Sequence, residues 1–194
     1  RAFELDPSAP RRLTDGLSHA GRISKKYGMP VAEAEGMIRR MTQVAAADGL
    51  DFQFDKSQPG NTFDAHRIIH LAHEQGIQDA VKERLLRAYL TEGAAIGDPE
   101  TLIALAGEAG LDAEEVRAML AGNTYEREVR QDEAAARELG ITGVPFFVVG
   151  GRYGISGAQP AKAILDVLEK AWAEAKDELV TFTEGAACGP EGCA

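Results

Sequence analysis

Between Gly143 and the Gly150-Gly151 pair runs an unbroken apolar segment, Val144-Pro145-Phe146-Phe147-Val148-Val149. Arg152-Tyr153-Gly154-Ile155-Ser156 follows directly. Two short β-forming runs joined by Gly-Gly read as a β-hairpin. This feature constrains the fold because residues 13–140 contain no comparable run beyond a weak one at 51–54. Through that stretch apolar residues recur at helical spacing, punctuated by Gly, Pro and capping Asp or Thr. An isolated hairpin is marginal in water, so this one needs cover. Residues 158–176 supply a helix with Ile164, Leu165, Leu168 and Trp172 on one face, and Trp172 is expected in the core. At the other end, Arg1-Ala2-Phe3-Glu4-Leu5-Asp6-Pro7 alternates, with Phe3 and Leu5 on one face and Glu4 on the other. That pattern predicts a half-buried strand stopped by Pro7. The expected class is α/β, with the strands of both chain ends in one sheet and the helical block inserted between them.

Within the block the spacing predicts helices over 13–27, ending at Gly28, and from Pro30 to about Ala47. A loop or short edge strand follows over 50–60. Asn61 or Thr62 caps a helix running to Gly76, and another covers 78–91. Asp98 and Asp112 cap helices ending near Gly110 and at 121, and Thr124–Leu139 closes at Gly140. Glu126, Arg127, Glu128, Arg130, Asp132 and Glu133 read as a solvated face. His66, His70 and His73 share one helix face. No obvious fourth ligand beyond Glu74 accompanies them, so they read as packed or solvated residues and no metal site is expected. Residues 181–194 read as a small, Gly-rich, mobile tail.

The charge balance, Lys+Arg 21 against Asp+Glu 31 for a net −10, disfavours nucleic acid or an anionic membrane as partner, since both require a positive field. No apolar run approaches the ~20 residues of a membrane span. The glycines match no phosphate-cradling pattern, so no nucleotide cofactor is indicated. Two cysteines, Cys188 and Cys193, flank Gly-Pro-Glu-Gly. A turn there can bring the sulfurs together, and so small a loop gains little stability from closure, which points to a redox-labile pair; the alternative is a disordered tail with two incidental thiols. A metal would need further ligands. Pro145 opens its strand without a donor, and an X–Pro bond accepts the cis form at only ~0.5–1 kcal/mol. A cis bond would turn the Val144 backbone outward toward an extended substrate, whereas a trans bond merely begins an edge strand. The local sequence leaves both open.

Gly140-Ile141-Thr142-Gly143-Val144-Pro145-Phe146-Phe147-Val148-Val149, then Tyr153-Gly154-Ile155-Ser156-Gly157-Ala158-Gln159-Pro160, resembles the C-terminal half of the thioredoxin-fold DsbA family, most closely its FrnE-like branch. Phe3-Glu4-Leu5-Asp6-Pro7 resembles that branch's second strand, and Asn61-Thr62-Phe63-Asp64-Ala65-His66-Arg67 a segment of its inserted helical domain. The resemblance implies a thioredoxin-like sheet formed by 1–12 and 141–180, with 13–140 inserted as an all-helical domain. It implies a cis Val144–Pro145 bond, substrate docking on Gly143, Val144 and Pro145, and a cytoplasmic thiol–disulfide oxidoreductase or isomerase.

Family members carry a Cys-Pro-x-Cys motif ahead of the Phe-Glu-Leu strand. This sequence contains no C-x-x-C and starts at Arg1, so the nucleophile is expected upstream. Cys188 and Cys193 resemble an auxiliary redox pair of the branch. Related glutathione-linked isomerases place an asparagine beside the substrate, which nominates Asn61. The implied partner is a disulfide-containing protein or a small thiol, with glutathione as a substrate rather than a cofactor. Two other readings remain: a glutathione-dependent 2-hydroxychromene-2-carboxylate isomerase, and a non-catalytic binding protein that keeps the groove.

Overall fold

The structure, a computed structural model, describes residues 1–179 of the chain. Cys188, Cys193 and the 181–194 tail lie outside the described residues. The chain divides into two compact units, residues 1–136 and residues from 137 onward.

The first unit is helical. Helix α1 (His19–Tyr27) starts where the Ser18 hydroxyl accepts the Gly21 amide at 3.0 Å, and it ends at left-handed Gly28. Its expected start at residue 13 is too early. Asp15 sits in a turn, accepting the Leu17 amide and the Arg22 guanidinium, and these bonds compete with helix. Helix α2 spans Val31–Ala47, with Pro30 just outside it. No strand forms at 51–54. Phe54–Lys56 is a single 3-10 turn, tied by the Gln53 amide to the Leu90 carbonyl and by the Ser57 hydroxyl to the Phe54 carbonyl. Then come α3 (Phe63–Glu74) and α4 (Gln78–Arg87), the latter running on through one wider π turn to Gly93. Asp98 and Asp112 cap α5 (Pro99–Glu108) and α6 (Ala113–Ala121) by accepting the Thr101 and Glu115 amides. Helix α7 covers Glu126–Glu138.

Helices α3 to α6 build the core around Ile68, Val81, Leu102 and Val116, all fully buried. Gly107 sits inside α5, where an added Cβ would touch only the Ala113 methyl at an ordinary 3.9 Å. Gly107→Ala should therefore raise unfolding stability by about 0.5–1 kcal/mol, by removing backbone freedom from the unfolded chain. Urea denaturation followed by circular dichroism checks this.

Residues 1–6 do not form the expected strand, and their alternation runs in the opposite phase. Ala2 and Glu4 are buried, while Leu5 is 65% exposed. The reason lies in the partners. The Ala2 amide donates to Asp132 at 2.7 Å, and Glu4 is held by Arg130 and Asn61 at 2.8 and 2.9 Å. Side chains of the helical unit thus take the place of a β ladder.

In the second unit, β1 (Phe146–Val149) pairs antiparallel with β2 (Tyr153–Ser156), and α8 (Ala161–Leu179) follows. The hairpin is as the sequence predicts. Gly150 and Gly151 both take positive φ, 58° and 68°, which a tight turn of matching twist requires. Trp172, expected in the core, is 66% exposed, and Leu165 and Leu168 are exposed with it. Helix α8 instead presents Ile164, Val167, Ala171 and Glu174 as its less exposed stripe. Ala171 lies against Gly150, and Glu174 accepts the Tyr153 hydroxyl at 2.5 Å. Among the described residues the sheet is two strands wide, and it lies against that less exposed stripe.

Candidate functional site

The loop between α7 and β1 leaves the helix through left-handed Gly140 and reaches Pro145 across a cis Val144–Pro145 peptide. The Pro145 carbonyl accepts the Gly157 amide at 2.9 Å, one step beyond the Phe146–Ser156 pair, so it prolongs the hairpin ladder. Val144 comes immediately before that last rung. Its side chain is half exposed, and among the described residues no hydrogen bond engages its amide or carbonyl. At Gly143 a Cβ would meet nothing within 4 Å. The loop thus offers one peptide's donor and acceptor at the end of an existing ladder, with open space beside it. On the other face of the hairpin the Phe146 ring lies so close over Gly154 that a Cβ there would stand 2.9 Å from it.

Asn61, the other residue nominated from the sequence, belongs to the helical unit and is engaged there. Its side-chain oxygen accepts the Phe63 amide at 2.8 Å at the start of α3, and its amide nitrogen donates to Glu4 at 2.9 Å. The same neighbourhood corrects the reading of α7 as a solvated face. Asp132 and Glu133 are buried, and Arg130 donates from one nitrogen to both Glu4 and Glu133 at 2.8 Å. Burial alone would raise the Asp132 carboxyl. The Arg1 guanidinium and the Ala2 amide outweigh it and hold that carboxyl below the usual range. His70 reaches Asp132 at 3.2 Å and stacks on Tyr125. Burial, partly opposed by a hydrogen bond to the Phe3 backbone, pushes His66 below the usual histidine range. The signal available in the sequence was the spacing of Val129, Asp132, Glu133 and Ala136. It is the spacing of a buried stripe, with two carboxylates standing where apolar residues are the rule.

Among the described residues no group of His, Cys, Asp and Glu has the arrangement of a metal site. One pair resembles a hydrolytic dyad. The Ser57 hydroxyl lies 3.1 Å from His19 Nδ1. That hydroxyl donates to the Phe54 carbonyl at 2.8 Å, so its proton is spent on the backbone and it is not an activated nucleophile. No described helix is long and apolar enough to cross a membrane.

The family model for the DSBA-like thioredoxin domain matches residues 1–169. The chain belongs to that family. A probable DsbA oxidoreductase from Streptomyces coelicolor, known from its crystal structure, is 41% identical with a TM-score of 0.82, covering 100% of this chain and 82% of that one. The uncharacterized protein YwbO of Bacillus subtilis is 33% identical over 171 residues, 87% of this chain and 77% of its own length. The fold is accordingly a DsbA-like thioredoxin fold with a helical insertion, and the family is one of thiol–disulfide oxidoreductases.

Proposed function

We propose that this protein is a thiol–disulfide oxidoreductase or isomerase of the FrnE type, working in the cytoplasm on a disulfide-containing protein or a small thiol such as glutathione. The observation that carries the reading is the unengaged Val144 peptide beside Pro145. An extended substrate segment pairs with that amide and carbonyl, prolonging the hairpin by one strand. Docking holds the substrate disulfide for attack. A cysteine thiolate forms a bond to one substrate sulfur, and the other sulfur leaves as a thiolate. A second cysteine then attacks the mixed disulfide, releasing the reduced substrate and leaving the protein pair oxidised. Residues 1–179 contain no cysteine. The attacking thiolate therefore comes from Cys188 and Cys193 or from a Cys-x-x-Cys pair outside this sequence, and the part of residues 143–145 is to position the substrate.

Val144→Pro tests the docking step, because it removes the amide donor. Val144→Ala keeps that donor and changes only the side chain. One lost hydrogen bond of ~0.5–1.5 kcal/mol corresponds to at most about a tenfold fall in kcat/KM for a disulfide-bonded peptide. Val144→Ala should stay within about threefold of the parent. Equal rates in the parent and the proline variant would overturn the docking assignment. In the same assay Cys188→Ser separates the two sources of thiolate: activity is lost if the C-terminal pair attacks and kept if another pair does.

A further inference from the structure

Within the helical unit a cavity of about 460 Å³ opens between the segment leading into α1 and the turn at Ser57, Gln58 and Pro59. Its volume lies in the ordinary range for small-molecule sites. Left-handed Gly16 (φ 67°) bends the first wall, and the Leu13 amide ties it to the second by donating to the Pro59 carbonyl at 3.3 Å. Leu13, Leu17 and Pro59, all partly buried, give the cavity an apolar side. Arg12 and Arg22 give it a charged one. Arg12 donates to the neutral side-chain oxygen of Gln58 at 3.1 Å, and the Gln58 nitrogen is committed to the Gly93 carbonyl at 2.8 Å, which keeps that oxygen turned toward Arg12. Arg22 spends Nη1 on Asp15 at 2.8 Å. Its Nε is buried without a hydrogen-bond partner, and no acceptor among the described residues meets Nη2. A buried donor without an acceptor is costly. The edge formed by these two nitrogens has the geometry that takes a carboxylate or phosphate through two parallel bonds.

The neighbouring groups leave one positive charge over. Asp15 answers Arg22, but no carboxylate pairs with Arg12 among the described residues. Asp98, which feels the Arg12 charge, is occupied by the Thr101 amide and hydroxyl. Arg11 already pairs with Asp64 at 3.3 Å. His19, against Ser57, is pushed below the usual histidine range by burial first and then by Arg22, so it brings no anion and no competing cation at neutral pH. Burial likewise keeps the Tyr89 hydroxyl protonated. The wider setting has the same sign: residues 11–47 hold seven Lys or Arg against three Asp or Glu, in a chain of net charge −10.

We propose that this cavity binds a small organic anion, its carboxylate or phosphate held by the free edge of Arg22 and by Arg12, and its apolar body laid against Leu13, Leu17 and Pro59. The two arginines select for negative charge, and the apolar wall selects against a bare inorganic ion. Carboxylate and phosphate ester share this chemistry, and their relative affinities tell them apart.

The experiment is an NMR titration of the full chain with benzoate, with phenyl phosphate and with benzyl alcohol as the uncharged body, at fixed ionic strength. At least one of the two anions should give saturable shifts at the amides of Leu13, Gly16, Leu17 and Ser57, and the tighter of the two identifies the headgroup. Benzyl alcohol should leave those amides unmoved. Arg12→Gln and Arg22→Gln should each weaken anion binding by about tenfold or more, the scale of one hydrogen bond to a charged group. Should Arg22→Gln fail to fold, Arg12→Gln, at an exposed position, decides alone. Absence of saturable shifts with both anions, equal shifts with benzyl alcohol, or an affinity in a folded variant equal to the parent's would overturn the site.

Discussion

Replacing Arg67 with methionine should cost about 3–5 kcal/mol of folding stability, the range for removing one partner of a buried ionic network. Arg67 is only 2% exposed. Its guanidinium donates to the carbonyls of Met119 and Gly122 at 2.6 Å and of Thr124 at 2.9 Å, and it pairs with Asp64 at 2.9 Å. Those carbonyls lie at and beyond the end of α6, where helix termini always leave acceptors without partners. One side chain of α3 therefore closes off the turn that leads into α7. Methionine fills a similar aliphatic volume but donates nothing, leaving three carbonyls short of a donor. Lysine should recover only part of the loss, since one ammonium cannot reproduce the spread of a planar fork. Denaturant titrations of the three proteins decide the matter. A loss below about 1 kcal/mol for methionine would mean that water replaces the guanidinium at these carbonyls.

Gly97→Ala should destabilise by about 2–3 kcal/mol, the combined scale of a forced backbone shift and lost hydrogen bonds. The Arg11 carbonyl is wedged between two glycines. A Cβ at Gly97 would stand 1.9 Å from its oxygen, and one at Gly60 would stand 2.1 Å away. Backbone rather than a flexible side chain occupies that space, so the segment itself must move. Moving it endangers the bonds from the Asn61 amide to the Pro10 carbonyl and from the Leu13 amide to the Pro59 carbonyl, at 2.9 and 3.3 Å. Faster tryptic cleavage at Arg11 and Arg12, alongside a lowered unfolding midpoint, is the expected result. A stability equal to the parent would show that the segment shifts without losing its bonds. The contrast with Gly107→Ala is instructive, since the same added methyl there meets only the Ala113 methyl at an ordinary 3.9 Å.

The features legible in the sequence are those that depend on local chemistry. Asp98 and Asp112 announce their helices because a cap needs only neighbours three residues away. Gly150-Gly151 announces the hairpin because few other residues take two positive φ values in a row. The loop at Gly143-Val144-Pro145 stood out for the same reason. The N-terminal segment takes the opposite phase to the one its sequence suggests, because alternation gives a period without a phase. Whether Glu4 or Leu5 turns inward depends on Arg130, 126 residues away. The burial of Asp132 and Glu133 is not legible in the sequence, because their charge points to solvent while their spacing points to the interior. Partners distant in sequence, among them Arg1 and the Ala2 amide at Asp132, help make their burial tolerable, as does Arg130 at Glu133. Trp172 is exposed rather than interior because an apolar stripe tells which residues share a side of a helix, not how deeply that side is covered. Asn61 holds the start of α3 and the N-terminal segment through Phe63 and Glu4, contacts that its local sequence does not announce.

Ile155, still 7% exposed, is the sole buried hydrophobic residue among the described residues beyond 136. So lightly anchored a hairpin opens at a small free-energy cost compared with the α3–α6 core. The Val144 peptide of the proposed docking site is thus carried on a lightly packed hairpin. If the proposed docking at Val144 holds, such a platform should discriminate weakly among side chains and strongly against any guest unable to lie straight.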